Sequence, residues 1–231
     1  MVSALAVLLL GFALGMRHAT DPDHVVAVTT LVSQQRSLRS AGLIGAVWGV
    51  GHTITILIVG GAIILFSIVI PPRLGLSMEF SVALMLVVLG VANLSGAMRR
   101  IQSAVHGHAH VHPSPSDTLR PAQLARSLVV GVVHGLAGSA AVALLVLTTI
   151  RDPRWALLYL LLFGGGTILG MALLTSIVAI PFAFAAERFA HVNRRMVQVT
   201  SLVSIGLGVF LAYKIGISDG LFSAAPRWTP Q

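Results

Sequence analysis

Apolar runs recur along the chain with short polar interruptions between them. Six candidate spans fall near residues 3–33, 42–70, 80–98, 125–150, 155–186 and 197–217. A bilayer core about 30 Å thick needs about 20 apolar residues per helix. Three of the runs exceed one straight crossing, so they are expected to tilt, break or protrude. Polar punctuation marks the ends: "QQRSLRS", "PPRLGLSME", "RDPR" and "ERFAHVNRR". The runs lack the two-residue alternation of a membrane β-barrel, and a helix satisfies its own backbone in lipid. The pattern predicts an all-α integral membrane fold with six transmembrane helices.

Composition agrees. Of 231 residues, 56% are hydrophobic and 10% are charged, against about 25% charged in a soluble domain. The net charge of +8 is therefore read as a topology signal and not as a nucleic-acid footprint. The absence of cysteine excludes disulfides, thiolate metal sites and catalytic thiols. No Lys or Arg precedes the first apolar run, which continues far beyond a signal-peptide core, so it reads as a retained helix. With the N-terminus outside, nine basic residues fall on inner loops and five on outer ones, Arg17 being intramembrane. The positive-inside rule then places both termini outside the cell (inner) membrane.

The chain also matches itself at an offset of 116. "GMRH" (15–18) falls on "GVVH" (131–134), and "VVLGVANL" (87–94) on "VSIGLGVF" (203–210), with Gly90 over Gly206. With a one-residue slip, "GVGHTI" (49–54) meets "GGGTIL" (164–169), so that His52 faces Thr167. Three ordered matches predict two three-helix repeats. An odd helix number per half makes the repeats inverted, a transporter plan with its site at the midplane. The expected layout is a first repeat at 1–100, a His-rich loop at 101–124, a second repeat at 125–217 and a short tail at 218–231.

The chemistry concentrates in "RHATDPDH", residues 17–24. Charges in a membrane span are functional candidates by default. At 100° per residue His18, Asp21 and His24 share one helix face, and Asp23 points elsewhere. Arg17 stands one turn before Asp21, within pairing reach. Pro22 cannot donate to the carbonyl of His18, so the helix should kink or open there. A break would turn Asp23 inward and free backbone carbonyls toward an ion. Two imidazoles with two carboxylates suit a divalent transition metal. A proton relay, or a hydrogen-bonded network tying helices together, would use the same groups.

"WGVGHTIT" adds His52, with Thr53 and Thr55 positioned to orient an imidazole through its second nitrogen. "VVHGLAGSAAV" adds His134, repeat mate of His18, as a ligand, a gate or a packed hydrogen-bonder. The repeat mates of Asp21, Asp23 and His24 are Ala137, Ser139 and Ala140, so the second half keeps one imidazole and no acid.

"RHATDPDHV", containing H-x4-D-H, resembles the RHAxDADHI signature of the nickel/cobalt transporter family, and "VGHT" resembles that family's second histidine motif. The resemblance implies metal binding by His18, Asp21, Asp23, His24 and His52. Arg17, Thr53, Thr55, His134 and Thr167 stand as pathway or supporting positions. Pro22 replaces the family's usual alanine, and the acidic C-terminal motifs of its eight-span members have no counterpart. Six spans and "HGLAGSAA" are similar to the short urease-accessory H-type branch, associated with nickel supply.

"HGHAHVH" places His106, His108, His110 and His112 at every second position. Such tracts bind transition metals weakly. Here the tract would capture an ion released to the cytoplasm, where metallochaperones are candidate partners. The expected function is secondary transport of a divalent metal, Ni²⁺ first and Co²⁺ next, with no cofactor beyond that cargo and no nucleic-acid partner. No nucleotide-binding loop and no HExxH-like motif is present. A metal sensor or accessory subunit that binds without carrying is the alternative, and an intramembrane metalloenzyme the second.

Overall fold

A computed structural model describes residues 4–33, 35, 37–66, 68, 70–96, 119, 121–150 and 152–228. The described residues form seven α-helices: α1 (Ala4–His18), α2 (Pro22–Val32), α3 (Leu38–Phe66), α4 (Pro72–Leu94), α5 (Pro121–Thr149), α6 (Pro153–Arg188) and α7 (Ala190–Tyr213). A π-helical turn, Lys214–Ser218, closes α7. There is no strand among the described residues. Among the described residues, four stretches are long and apolar enough to cross a membrane: Leu38–Phe66, Pro72–Leu94, Pro153–Ala185 and His191–Ser218.

The boundaries differ from the sequence expectation where proline acts. The first run, 3–33, is two helices. Asp21 sits extended (φ −60°, ψ 144°) and Pro22 opens α2. A residue before proline is pushed out of the α region, and proline's missing N–H costs nothing at a first helical position. The same logic moves the start of α4. Pro71 is extended (ψ 142°) and Pro72 begins the helix, so "PPRLGLSME" contributes just over two turns of α4 instead of a boundary. "ERFAHVNRR" interrupts the helices only at Phe189 (φ −142°, ψ 77°).

Small residues set how the helices pair, as in other membrane bundles. α3 runs antiparallel to α6. Gly42 meets Ser176, Gly49 meets Ile168, and Thr53 Oγ1 donates to the Gly164 carbonyl (3.2 Å). α5 runs parallel to α3, with Gly131 against Trp48 and Ser127 Oγ donating to the Ile44 carbonyl (2.5 Å). α1 runs parallel to α6, with Gly11 on Tyr159, Gly15 on Phe163 and Gly170 on Met16. α4 and α7 are antiparallel: Ser204 Oγ donates to the Leu86 carbonyl (2.8 Å), Gly90 meets Ser201, and Gly208 meets Ala83. Gly206, expected to mirror Gly90, faces open space.

The segment after α7 is more than a loose tail. It turns back onto α4, where Trp228 packs over Gly75 and Phe222 meets Phe80 edge-on at 5.6 Å. Arg73 donates to the Ser223 carbonyl (3.2 Å).

A methyl group at Gly131 or Gly166 would strike the backbone carbonyl of Trp48 or Phe12, whereas Gly165 and Gly206 have no neighbour within 4 Å. Overpacking of this kind costs about 1–3 kcal/mol. G131A and G166A should therefore lower the thermal unfolding midpoint in detergent. G165A and G206A should match wild type or exceed it slightly, since alanine is the better helix former. Equal midpoints for all four variants would refute the packing assignment.

Candidate metal centre

The break between α1 and α2 builds the centre. His18 is the last residue of α1, Asp21 caps α2, and Asp23 and His24 lie in the first turn of α2. His18 Nδ1 lies 2.7 Å from Asp21 Oδ2. His24 Nδ1 lies 3.2 Å from Asp23 Oδ1, which also accepts the His24 backbone N–H (3.0 Å). From the middle of α3, His52 brings Nε2 to 3.1 Å from His18 Nε2. From α5, His134 Nε2 reaches Asp23 Oδ2 at 2.9 Å. Four imidazoles and two carboxylates from four helices and the cap between them thus converge.

Hydrogen-bond direction fixes the ring tautomers. An ionised carboxylate only accepts, so each imidazole nitrogen facing one carries the proton. Asp21 therefore leaves the lone pair of His18 on Nε2, and Asp23 leaves that of His24 on Nε2. Carboxylates that orient imidazoles in this way are the usual support of metal-ligating histidines. His24 Nε2, His52 Nδ1 and His134 Nδ1 are buried, and each lacks a hydrogen-bond partner in the described structure. Buried polar atoms without partners are rare. Two ligand sets share His24: His18, His24 and His52, and Asp23, His24 and His134. Within each, one donor atom per residue lies within 4.8 Å of the others. Metal–nitrogen bonds of about 2.0–2.1 Å put neighbouring ligand nitrogens about 3.0–3.4 Å apart, so the 3.1 Å between His18 and His52 suits one coordination edge.

Aromatic rings hold the imidazoles. Trp48, wholly buried, stacks on His24 with centroids 5.7 Å apart and planes 16° from parallel. The His24 and His134 rings lie 4.0 Å apart, and Phe163 lies 5.5 Å from His18.

Oxygen and nitrogen donors are sorted by depth. The side chains of Asp21 and Asp23 are 47% and 33% exposed, whereas His134 and His52 are 1% and 0% exposed. A cavity of about 350 Å³ is lined by His18, both aspartates, His24 and His134 on one side and by Glu79, Leu207 and Leu211 on another. His52 lies behind this wall, against His18.

All five core expectations, His18, Asp21, Asp23, His24 and His52, come together, and His134 joins them as a full member. Pro22 opens the helix as expected, and Asp23 meets His134 through that opening. Other expectations give way. Arg17 is exposed and has no ion pair among the described contacts, because Asp21 turns to His18 instead. Three of the carbonyls near the break are taken by protein donors. Gly15 accepts from Ala19 N and Thr167 Oγ1, Arg17 from Thr20, and His18 from Asp21 N. Thr53 and Thr55 do not orient His52. Thr53 bonds the Gly164 carbonyl, and Thr55 bonds those of Gly51 and Val132. Thr167 likewise bonds the Gly15 and Phe163 carbonyls. In an apolar bundle a buried hydroxyl takes the nearest unshared carbonyl, which is backbone. His106, His108, His110 and His112 lie outside the described residues. Two members of the site's surroundings were not singled out from sequence, Trp48 and Glu79. An acid two turns into an apolar helix was the available signal for the second.

The chain is thus an all-helical protein with membrane-length apolar helices and a buried cluster of imidazoles and carboxylates at a helix break. It is 39% identical over 222 residues to the urease accessory protein UreH of Bacillus sp. (strain TB-90), covering 96% of each chain. The chain belongs to the UreH family. It is also 26% and 25% identical to the Arabidopsis thaliana chloroplast proteins FOR GROWTH AND FERTILITY 1 and 2, each match covering 86% of this chain. It spans about half of their length, 56% and 54%. No family model and no solved structure matches.

Trp48 stacked on His24 supplies an internal reporter. In a W155F/W228F background, Co²⁺ or Ni²⁺ bound at the cluster should quench Trp48 emission saturably. H24A should abolish the quenching, and Mg²⁺, which prefers oxygen donors, should not produce it. Unchanged quenching in H24A would place the ion elsewhere.

Proposed function

We propose that this chain is a secondary carrier of divalent transition-metal ions, nickel first and cobalt next. The observation that carries this reading is the convergence of His18, Asp23, His24 and His134 at one side of a cavity of about 350 Å³, with His52 behind them against His18. An ion entering the cavity meets carboxylate oxygen first and imidazole nitrogen behind it. Oxygen donors accept a partly hydrated cation. Imidazole then selects transition metals over magnesium and calcium. The two aspartates offset the divalent charge where dielectric screening is weak. Nickel is favoured by the likeness of "RHATDPDHV" to the nickel/cobalt transporter signature and by the urease-accessory name of the relative.

An inverted repeat, with α1, α3 and α4 mirrored by α5, α6 and α7, is the proposed architecture. Paired contacts support it. Gly51 rests on Leu128 as Gly166 rests on Phe12, and Gly15 on Phe163 as Gly131 on Trp48. Gly90 meets Ser201 and Ile205 as Gly208 meets Ala83 and Val87, which makes Gly208 the better mirror of Gly90 than Gly206. Helix directions agree, because α1 parallels α6, α5 parallels α3, and α3 opposes α6. In such a carrier the two halves rock about a site between them, and His134 meeting Asp23 spans the two.

The proposed topology has both termini outside and residues 101–124 in the cytoplasm of an inner-membrane protein. Glu79 lies about 10 Å along α4 at 1.5 Å per residue, and Ile215 ends α7, so the cavity then faces outward. An inward-negative potential favours entry by about 2.3 kcal/mol per charge per 100 mV. His106, His108, His110 and His112 would hold the released ion and pass it to cytoplasmic metallochaperones.

Purified protein in sealed liposomes should accumulate Ni²⁺, and Co²⁺ should compete better than Mn²⁺. H24A and D23N should each cut uptake by at least about tenfold, a loss typical of metal-site ligands and their carboxylate partners. Saturable binding without accumulation would favour the sensor or accessory alternative. Replacing the four loop histidines with alanine should leave initial uptake intact and reduce retention. Loss of initial uptake in that variant would contradict the capture role.

A further inference from the structure

Glu79 has no place in the chemistry above, yet it lines the same cavity as the aspartates. It is half-buried on α4, and its neighbours on the cavity wall are apolar: Val82, Leu207, Leu211 and Ile215. The indole N–H of Trp228, from the segment folded back after α7, donates to its Oε1 at 2.8 Å. Lys214 and Asp219 are close enough to act on its charge, with opposite signs.

A clasp for the indole alone does not account for a carboxylate. One N–H donor needs one acceptor, and a glutamine or a backbone carbonyl would serve. An ionised carboxylate offers about four acceptor positions, of which the indole takes one. Placing that charge in an apolar wall is costly unless something compensates it. Lys214 does not supply that compensation, because Asp219 beside it acts with the opposite sign; the partner that the cavity admits is a cation on its way to Asp21 and Asp23.

We infer that Glu79 is a further metal-binding residue, which takes the hydrated ion at the tail-covered end of the cavity, with Trp228 fixing its orientation. The inference rests on the carrier reading. It makes the path a series of carboxylates, Glu79 and then the aspartates, ending on the imidazoles. Arrival at Glu79 leaves the ion's water shell largely in place, and stripping is deferred to the cluster.

The test uses full-length protein in proteoliposomes, with Ni²⁺ uptake measured over a range of concentrations for wild type, E79Q, E79D, W228F and H24A. The amide oxygen introduced by E79Q can still accept the indole hydrogen bond, so this variant removes the charge and keeps the clasp. E79Q should raise KM by about tenfold, as loss of a partner group to a metal site typically does, with the saturating rate near that of wild type. E79D should recover part of the loss. W228F keeps the carboxylate and its charge, losing only the hydrogen bond that orients it, and should shift KM by less than about threefold. In a W48F/W155F background, Trp228 emission should be the same with and without the E79Q substitution. If E79Q retains the wild-type KM, or if E79Q and W228F raise it equally, Glu79 is only a clasp for the tail and the inference fails. If wild type and H24A behave alike, the carrier reading fails instead. Equilibrium Co²⁺ binding in detergent then still decides on Glu79, by whether E79Q weakens it.

Discussion

One carboxylate holds the centre together. Asp23 accepts from the His24 backbone and ring through Oδ1 and from His134 through Oδ2. A carboxylate among apolar helices is tolerable only when both oxygens have partners or an ion. Here the partners come from α2 and from α5, more than a hundred residues apart in sequence. The rest of the site follows from that requirement. α2 must start where it does, so that Asp23 and His24 stand in its first turn, and Pro22 starts it. α5 must come close to α3, so that His134 arrives beside His24, and Gly131 against Trp48 permits the approach.

Polar groups elsewhere in the bundle show the same constraint met by hydrogen bonds within the protein. Asn93 donates to Ser33 Oγ (3.0 Å) and Ser201 Oγ (3.1 Å), tying α4 to the end of α2 and to α7. Thr53, Thr55 and Thr167 each find a backbone carbonyl. These groups are satisfied by their neighbours. The imidazoles of the centre are not, since three of their nitrogens stand buried without partners. Asn193 Oδ1 on α7 is a further buried atom without a partner, so what marks the centre is three such nitrogens gathered beside two carboxylates.

The helical class and the chemistry of residues 17–24 were legible because both are local. Apolar run length marks helices, and Pro22 marks a break whatever surrounds it. His134 was legible only through the self-match of the chain, which could not say whether it reaches the acids. Glu79 was hidden because its meaning depends on Trp228, 149 residues away, and no periodicity links them. The threonines misled for a physical reason. Beside a histidine they suggest an orienting hydrogen bond, but Thr55 and Thr167 take their own i−4 carbonyls and Thr53 takes the Gly164 carbonyl of the facing helix. The orienting role fell to the aspartates, whose charge makes the stronger hydrogen bond.

Both aspartates of the cluster belong to the first half of the proposed repeat, and the cavity gives that asymmetry a physical sense. In the proposed repeat Ala137 is the counterpart of Asp21, and it lines the cavity wall. A methyl group there leaves room for the ion and adds no charge. Two aspartates against one divalent cation give a neutral assembly in low dielectric. A third acid at 137 would leave net negative charge around the ion and deepen the well that holds it. Conduction and transport need a site favourable enough to enter yet weak enough to leave. A proposed repeat with acids in both halves would bind well and release poorly. Keeping His134 and discarding the carboxylates in the second half retains an imidazole for selection without that penalty.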